Sequence, residues 1–300
     1  MKDFINLLKN AEIDYVENEP MKNHTTFKTG GDAEVFLAPE NEAELTQILC
    51  LCRQCGMKPF VFGNGSNLLI SDNGIKGRPV IYIGKSFSYI KNIDDTTIEA
   101  GAGGSLTALC NYALSKELSG LEFAFGIPGS CGGAAYMNAG AYGGEMKDVM
   151  VKCNHISLDG VKGSFEGSEL DLSYRHSVYT DSDYIITSVV VKLAKGDKAE
   201  IESKMRDFMG RRIDKQPLEY PSAGSVFKRP EGYFAGALIE QSGLKGKRIG
   251  GAMVSEKHAG FIINYDNATT ADILALVKFC RDTVKEKFGV ELETEIKAIE

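Results

Sequence analysis

Apolar runs and helical stripes alternate along this chain, and the alternation predicts most of its elements. Met1–Asn10 carries charges every few positions and predicts a short amphipathic helix. Residues 33–38 predict a strand ended by Pro39. Asn41-x-x-Glu44 predicts a capped helix with Leu45, Ile48, Leu49 and Cys52 on one face and Gly56 at its end. Pro59–Gly63 reads as a buried strand, which completes a βαβ unit running directly into Gly63-Asn-Gly-Ser-Asn67. Strands follow at 79–83 and 96–100, then a helix at 105–118 capped by Ser105, with Leu106, Leu109, Cys110 and Ala113 inward. Strands at 151–158 and 184–193 complete a mixed α+β region.

The character changes at Gly196-Asp-Lys-Ala. A strongly charged helix is expected at 198–212, then a helix near 234–242, strands near 249–254 and 260–264, and a long helix at 270–288. The last stretch alternates, with Val290, Leu292, Thr294, Ile296 and Ala298 on one face and Glu291, Glu293 and Glu295 on the other. A domain boundary is placed near 195–200.

Bulk properties narrow the function. A chain of 300 residues exceeds one small core. Its 43% hydrophobic and 25% charged residues argue against disorder. A net charge of −7 disfavours a nucleic-acid or anionic-membrane surface. No apolar run approaches the ~20 residues of a membrane helix, and the first residues do not read as a signal peptide. Seven cysteines follow no disulfide rhythm. Cys50, Cys52 and Cys55 fall inside a helical pattern and read as apolar filler. With His24, His155, His176 and His258 isolated, no metal site is expected. A reducing cytoplasm fits best.

The densest signal is Gly126-Ile-Pro-Gly-Ser-Cys-Gly-Gly-Ala-Ala-Tyr-Met-Asn-Ala-Gly-Ala-Tyr-Gly143, poor in charge and carrying Ser130 and Asn138. Glycine lets a ligand approach the main chain closely, and successive amides in a turn form a concave anion site. A tight connector is the rival reading; a phosphate-bearing ligand explains the density better. Three glycine-rich turns, 63–67, 101–104 and 126–133, each follow a strand-like segment and are expected to converge at one sheet edge. Leu68 stands where a third glycine of G-x-G-x-x-G belongs, and Pro79 stands where a Walker A glycine belongs. Several separate turns suit a long ligand with a central pyrophosphate.

His24-Thr-Thr-Phe-Lys-Thr-Gly-Gly31, Gly63-Asn-Gly-Ser-Asn-Leu-Leu69, Gly101-Ala-Gly103 and Gly126-Ile-Pro-Gly-Ser-Cys-Gly-Gly-Ala134, with Asn138, resemble UDP-N-acetylenolpyruvoylglucosamine reductases (UDP-N-acetylmuramate dehydrogenases). The resemblance runs from about residue 20 to residue 297. It implies an α+β fold: an FAD-binding domain of the vanillyl-alcohol-oxidase/PCMH type over 1–195, in lobes of about 1–84 and 85–195, and a C-terminal α/β substrate-binding domain over 196–300. It implies a flavoprotein that NADPH reduces first, and that then reduces UDP-N-acetylenolpyruvoylglucosamine to UDP-N-acetylmuramate for bacterial peptidoglycan, and so serves cell-wall biogenesis, shape and division. The short stretch between Ser225 and Ala252 resembles the compact subtype without an extra tyrosine loop.

The resemblance also implies roles. Gly63, Asn64, Gly65, Ser66, Asn67 and Leu68 would hold the FAD pyrophosphate. Gly101, Pro128, Gly129, Ser130, Gly132, Gly133, Ala134 and Asn138 would line the flavin and its linker. Arg175, otherwise read as a solvated surface charge, aligns with an active-site arginine that stabilises developing charge on the substrate. Ser225, otherwise a turn serine, is implied to be the proton donor. Glu295, otherwise part of a wet strand face, is implied to be an acid acting with Ser225 or through a water. Tyr174 and Lys228 would touch the anionic substrate. Arg211, Lys215 and Gln216, in a basic cluster with Arg212, read either as a diphosphate grip or as a solvated helix end. His258 reads as structural. The expected partners are a UDP-sugar enolpyruvyl ether and NADPH, and the expected state is a monomer. Two other functions compete: a flavin oxidase of the wider fold group, and a nucleotide-binding module without catalysis.

Overall fold

The computed structural model describes residues 1–300. Seven α-helices form: α1 Lys2–Asn10, α2 Glu42–Gln54, α3 Leu106–Ser115, α4 Cys131–Tyr136, α5 Lys198–Lys215, α6 Ala235–Gln241 and α7 Thr270–Phe288. Local caps account for several ends. The Asn41 carboxamide accepts from the amides of Ala43 and Glu44, both at 3.0 Å, and Ser105 accepts from Ala108. Thr269 and Asp272 form a reciprocal capping box at the start of α7, and Gly289 closes it at φ +70°.

The chain divides into two compact units that do not follow chain order. One comprises residues 1–17, 35–64 and 77–211; the other comprises 18–34, 65–76 and 212–300. The sequence places a boundary near 195–200, whereas these compact units are interleaved along the chain. Residues 18–34 and 65–76 join the C-terminal part, and residues 196–211 join the N-terminal part.

The first unit holds one extensive apolar core, built on Leu45, Ile48 and Leu49 of α2, Leu106 and Leu109 of α3, and Val189 and Val191 of strand Tyr184–Lys192. A four-stranded sheet orders Val16–Pro20, Asp32–Leu37, Val80–Tyr82 and Phe60–Phe62 side by side, the last three parallel. The expected βαβ unit thus crosses over a vacant position that Val80–Tyr82 later fills. A five-stranded antiparallel sheet orders Lys162–Glu166, Met150–Ser157, Tyr184–Lys192, Thr97–Gly101 and Ile90–Asn92. The first sheet lies within 1–84 and the second within 85–195.

The second unit packs α6 and α7 around Ile239, Val254, Ile273, Leu276 and Cys280. A three-stranded sheet, Arg248–Ile249, Ala252–Val254 and Ile262–Asn264, supports them. The alternating C-terminal stretch is not one continuous strand: Thr294 bridges Phe227, and only Lys297–Ile299 pairs as a strand, parallel to Leu68–Ile70. No helix is long and apolar enough to cross a membrane.

Candidate functional site

In the first unit the glycine-rich turns meet around a cavity of about 180 Å³ lined by Asn64, Tyr82, Gly103, Ser105, Pro128, Gly129 and Ser130, among others. The turns do converge, but not at one sheet edge. The turn beginning at Gly63 leaves the four-stranded sheet, and the turn at 101–104 leaves the five-stranded one. The third follows the 3₁₀ turn Glu122–Ala124 instead of a strand, and it continues into helix α4, capped by the Ser130 hydroxyl on the Gly133 amide at 3.1 Å.

That helix corrects the picture of a row of open amides. The amides of Cys131 and Gly132 donate to the carbonyls of Gly104 and Ala102, each at 2.8 Å, and Gly133 serves the Ser130 cap. The glycines are required instead because chain lies on chain. A Cβ on Gly63 would stand 2.4 Å from the Ser130 hydroxyl, one on Gly103 would stand 1.9 Å from the Gly84 carbonyl, and one on Gly132 would stand 2.8 Å from the Ala102 methyl. Gly101 likewise abuts the Phe87 carbonyl. The resulting walls combine main chain, the hydroxyls of Ser105, Thr107 and Ser130, the Asn64 amide, and the apolar faces of Tyr82, Ile83, Ile127 and Pro128. Such walls fit a phosphodiester beside a flat, apolar ring.

Asn138 does not face this cavity with a free amide. It is wholly buried at φ +44° and its side chain is committed internally. Its Nδ2 donates to Glu145 Oε2 at 2.9 Å and to the Ser173 carbonyl at 2.8 Å; its Oδ1 accepts from the Lys147 amide at 2.8 Å. Tyr174 and Arg175 form the tip of a tight turn closed by Ser173 and His176, which exchange backbone hydrogen bonds at 3.2 Å. Arg175 has φ +57°, a left-handed conformation that costs a non-glycine residue on the order of 1–2 kcal/mol. Its guanidinium lies 5.1 Å from the Tyr174 ring centroid. Non-glycine residues in such conformations cluster at functional sites.

In the second unit, main-chain pairing sets Val226, the residue after Ser225, beside Glu295. The Glu295 amide donates to the Val226 carbonyl at 2.8 Å, and the Lys228 amide donates to the Glu293 carbonyl at 2.8 Å. The Ser225 hydroxyl donates to the Phe227 carbonyl at 3.1 Å. Glu295 is half-buried while Glu291 and Glu293 are exposed, a distinction that strand alternation alone does not make. Lys228 pairs with Glu293 at 2.6 Å.

The basic cluster also resolves differently. Arg211 is exposed and paired with Asp207 at 2.7 Å, and Lys215 is exposed. The buried cation is Arg212, 5% exposed, which donates to Gln216 at 3.3 Å. Its phase was visible in the sequence: Ile201, Met205 and Arg212 recur at spacings of four and seven on one helix face. In the Gly63–Leu68 motif, Gly63 and Asn64 belong to the first unit and Gly65–Leu68 to the second. Gly65, at φ +62°, has its Cα against the His24 carbonyl, where a Cβ would stand 2.0 Å away. His258 accepts from the Gly260 amide at 3.0 Å, and its burial lowers its affinity for a proton, as a structural histidine would show.

Comparison with known proteins places these features. Residues 216–299 match the family model "UDP-N-acetylenolpyruvoylglucosamine reductase, C-terminal domain", and residues 33–161 match "FAD binding domain". A UDP-N-acetylenolpyruvoylglucosamine reductase of Agathobacter rectalis is 48% identical over 96% of this chain and 95% of its own. The enzyme of the same name from Syntrophomonas wolfei is 49% identical over 94% of each chain. The crystal structure of UDP-N-acetylenolpyruvylglucosamine reductase from Thermus caldophilus superposes with a TM-score of 0.81 at 36% identity, covering 96% of this chain and 99% of that one. A berberine bridge enzyme variant shares the fold of 65% of this chain and 44% of its own, at 13% identity and a TM-score of 0.50.

Proposed function

We propose, from the premise that this chain belongs to the UDP-N-acetylenolpyruvoylglucosamine reductase family and carries an FAD-binding domain, that it reduces UDP-N-acetylenolpyruvoylglucosamine to UDP-N-acetylmuramate at the expense of NADPH. The walls of the first unit's cavity support the cofactor assignment, with Asn64, Ser105, Gly129 and Ser130 as the groups that would hold it. When bound, FAD supplies the hydride that adds to the terminal carbon of the enol ether.

The remaining chemistry falls to side chains. Hydride addition leaves negative charge on the neighbouring carbon and the carboxylate conjugated to it. Arg175 stabilises that charge, because a guanidinium can grip a carboxylate and does not lose its proton. The Ser225 hydroxyl gives its proton to the carbanionic carbon, and Glu295 supports that transfer. Tyr174, Arg211, Lys215, Gln216 and Lys228 remain proposed substrate contacts, and Arg212 joins them as the buried cation of its helix. The observation that supports the catalytic part is the pairing of 226–228 with 293–295, in which Val226, the residue after Ser225, lies opposite the half-buried Glu295.

The first unit, with most of residues 1–195, is read as the FAD-binding domain, and the second as the substrate-binding one. The enzyme is read as a cytoplasmic monomer whose partners are small molecules. The deciding experiment is anaerobic. NADPH should bleach the flavin of the purified protein, and the enolpyruvyl nucleotide should restore its colour far faster than air does. Restoration by air alone identifies an oxidase, and a colourless protein that binds a UDP-sugar identifies a non-catalytic module.

A further inference from the structure

Arg175 sits on a strained turn, and the structure shows what holds the turn in place. Asn138, buried and itself at positive φ, clamps the Ser173 carbonyl with one amide proton and the Glu145 carboxylate with the other. Glu145 also accepts from the Asp148 amide in a reciprocal capping box, and Lys147 Nζ lies 2.9 Å from its Oε2. Its backbone pairs with Gly140 across a small hairpin, Gly140–Ala141 against Gly144–Glu145. A Cβ on Gly140 would stand 2.7 Å from Glu145 Cγ, so the carboxylate's stem packs directly on that glycine. The Gly140 carbonyl in turn faces Arg175 Nη2 at 3.5 Å. Tyr142 at the hairpin tip is also left-handed, at φ +53°, and its ring stacks on Phe208 at 4.8 Å. Three non-glycine residues with positive φ therefore belong to one short network ending at Arg175.

Strain of this kind persists only where the surroundings over-determine it. Asn138, Lys147, the Asp148 amide and the Gly140 hairpin all meet at Glu145, which is only partly exposed. Its carboxyl is held below the usual carboxylate range by Lys147, by the Asn138 hydrogen bond and by the positive charge of Arg175, so it stays ionised at neutral pH. The carboxylate is tied to Asn138, Lys147 and the Asp148 amide, beside the hairpin whose Gly140 carbonyl faces Arg175.

We infer that Glu145 is a positioning residue that acts through Asn138 and the Gly140 hairpin to hold Arg175 in its working placement. The inference rests on the reductase reading, in which Arg175 stabilises charge on the substrate. The test uses FAD-loaded enzyme and separates the two half-reactions. Glu145→Gln keeps the shape and removes the charge. It should keep FAD content and the rate of NADPH bleaching within about twofold, and slow reoxidation by the enolpyruvyl nucleotide by about tenfold or more. Glu145→Asp should recover part of that loss. Combined with Arg175→Ala, Glu145→Gln should add nothing further, because a residue acting only through Arg175 has no effect once the guanidinium is gone. Additive losses in the double variant, unchanged reoxidation in Glu145→Gln, or loss of FAD or of the fold would each overturn the inference. Wild-type enzyme that NADPH bleaches but the nucleotide never recolours would instead overturn the reductase reading.

Discussion

The side-chain amide of Asn67 donates to the backbone carbonyl of Glu295 over 3.1 Å. The Lys297 amide then returns to the Asn67 carbonyl at 2.9 Å and begins the parallel pairing of the C-terminal strand with Leu68–Ile70. A residue of the candidate cofactor turn thus holds the main chain of the candidate acid. Residues 65–68 of that turn and the segment carrying Glu295 are one packed piece of the second unit.

Asn67→Leu should therefore have a mechanical cost as well as a chemical one. Losing one hydrogen bond of this kind costs about 1 kcal/mol, which corresponds to a fall in Tm of roughly 2 °C for a chain of this size. Reoxidation of reduced enzyme by the nucleotide should slow more than bleaching by NADPH. Thermal unfolding followed with stopped-flow absorbance reads both effects. Equal slowing of the two half-reactions would separate Asn67 from the proton-delivery side.

The contact between Gly63 and Ser130 predicts a compensating pair. Gly63→Ala places a methyl 2.4 Å from the Ser130 hydroxyl and should lower the FAD content of purified protein. Ser130→Gly in the same chain removes that hydroxyl, and glycine at a helix N-cap costs only a few tenths of a kcal/mol. The double variant should regain colour relative to Gly63→Ala, as read from the ratio of flavin to protein absorbance. No recovery would mean that the Ser130 hydroxyl is itself an indispensable ligand.

Much of this was legible where local rules act. The caps of α2 and α3 come from single side chains, Asn41 and Ser105, and the cysteines at 52, 110 and 280 sit in the buried stripes of their helices. Helix α4 was not legible. Its six residues include two glycines, and it stands because Ser130 caps it and because Cys131 and Gly132 bond to the backbone of Gly104 and Ala102, far upstream. The commitment of Asn138 was hidden for the same reason: its partners at 145 and 173 are chosen by the fold, while the local glycine-rich context suggested a ligand. Charge alone could not separate Arg211 from Arg212, although helical phase could.

Burial also sets the chemistry of the thiols. Desolvation pushes Cys52, Cys131 and Cys280 up to about 12, and raises Cys110 and Cys153 as well. In native protein near pH 8, a thiol reagent should label only the half-buried Cys50 and Cys55 rapidly. Full labelling of all seven should need denaturant. Fast modification of a third cysteine, located by peptide mapping, would contradict the packing.

Acid should weaken the fold in two stages. His155 is buried, its Nδ1 lies 3.0 Å from the Tyr179 hydroxyl, and desolvation lowers its pKa from the ordinary 6.5. The unfolded chain therefore takes up that proton first. The stability it contributes is complete above about pH 6.5 and drains as pH falls toward the folded value. His258 adds in the same direction. Glu99, Asp272 and Glu145 are lowered carboxyls, so their contributions are lost at more acid pH, from the usual carboxylate range downward to their folded values. Urea midpoints should thus already fall between about pH 7.5 and pH 5.5. His155→Gln should flatten the slope in that window; an unchanged slope would assign it to other groups.

Ser225 carries the sharpest prediction. Its hydroxyl is a poor acid at neutral pH, so it can serve as donor only to a strongly basic carbon, which arises only after hydride has reached the substrate. Ser225→Ala should therefore keep NADPH-driven bleaching, which needs no such donor, and should lose reoxidation by the nucleotide by orders of magnitude. The hydroxyl's present bond to the Phe227 carbonyl, at 3.1 Å, is local and replaceable, so the variant should fold normally. Glu295→Gln should slow the same half-reaction without loss of fold, because it removes the acid while the backbone hydrogen bond from residue 295 to Val226 survives. Running the substrate half-reaction in deuterium oxide adds a discriminating measurement. A solvent isotope effect present in wild type and altered in Ser225→Ala places the proton at the hydroxyl, whereas equal losses in both half-reactions would remove Ser225 from the proton path.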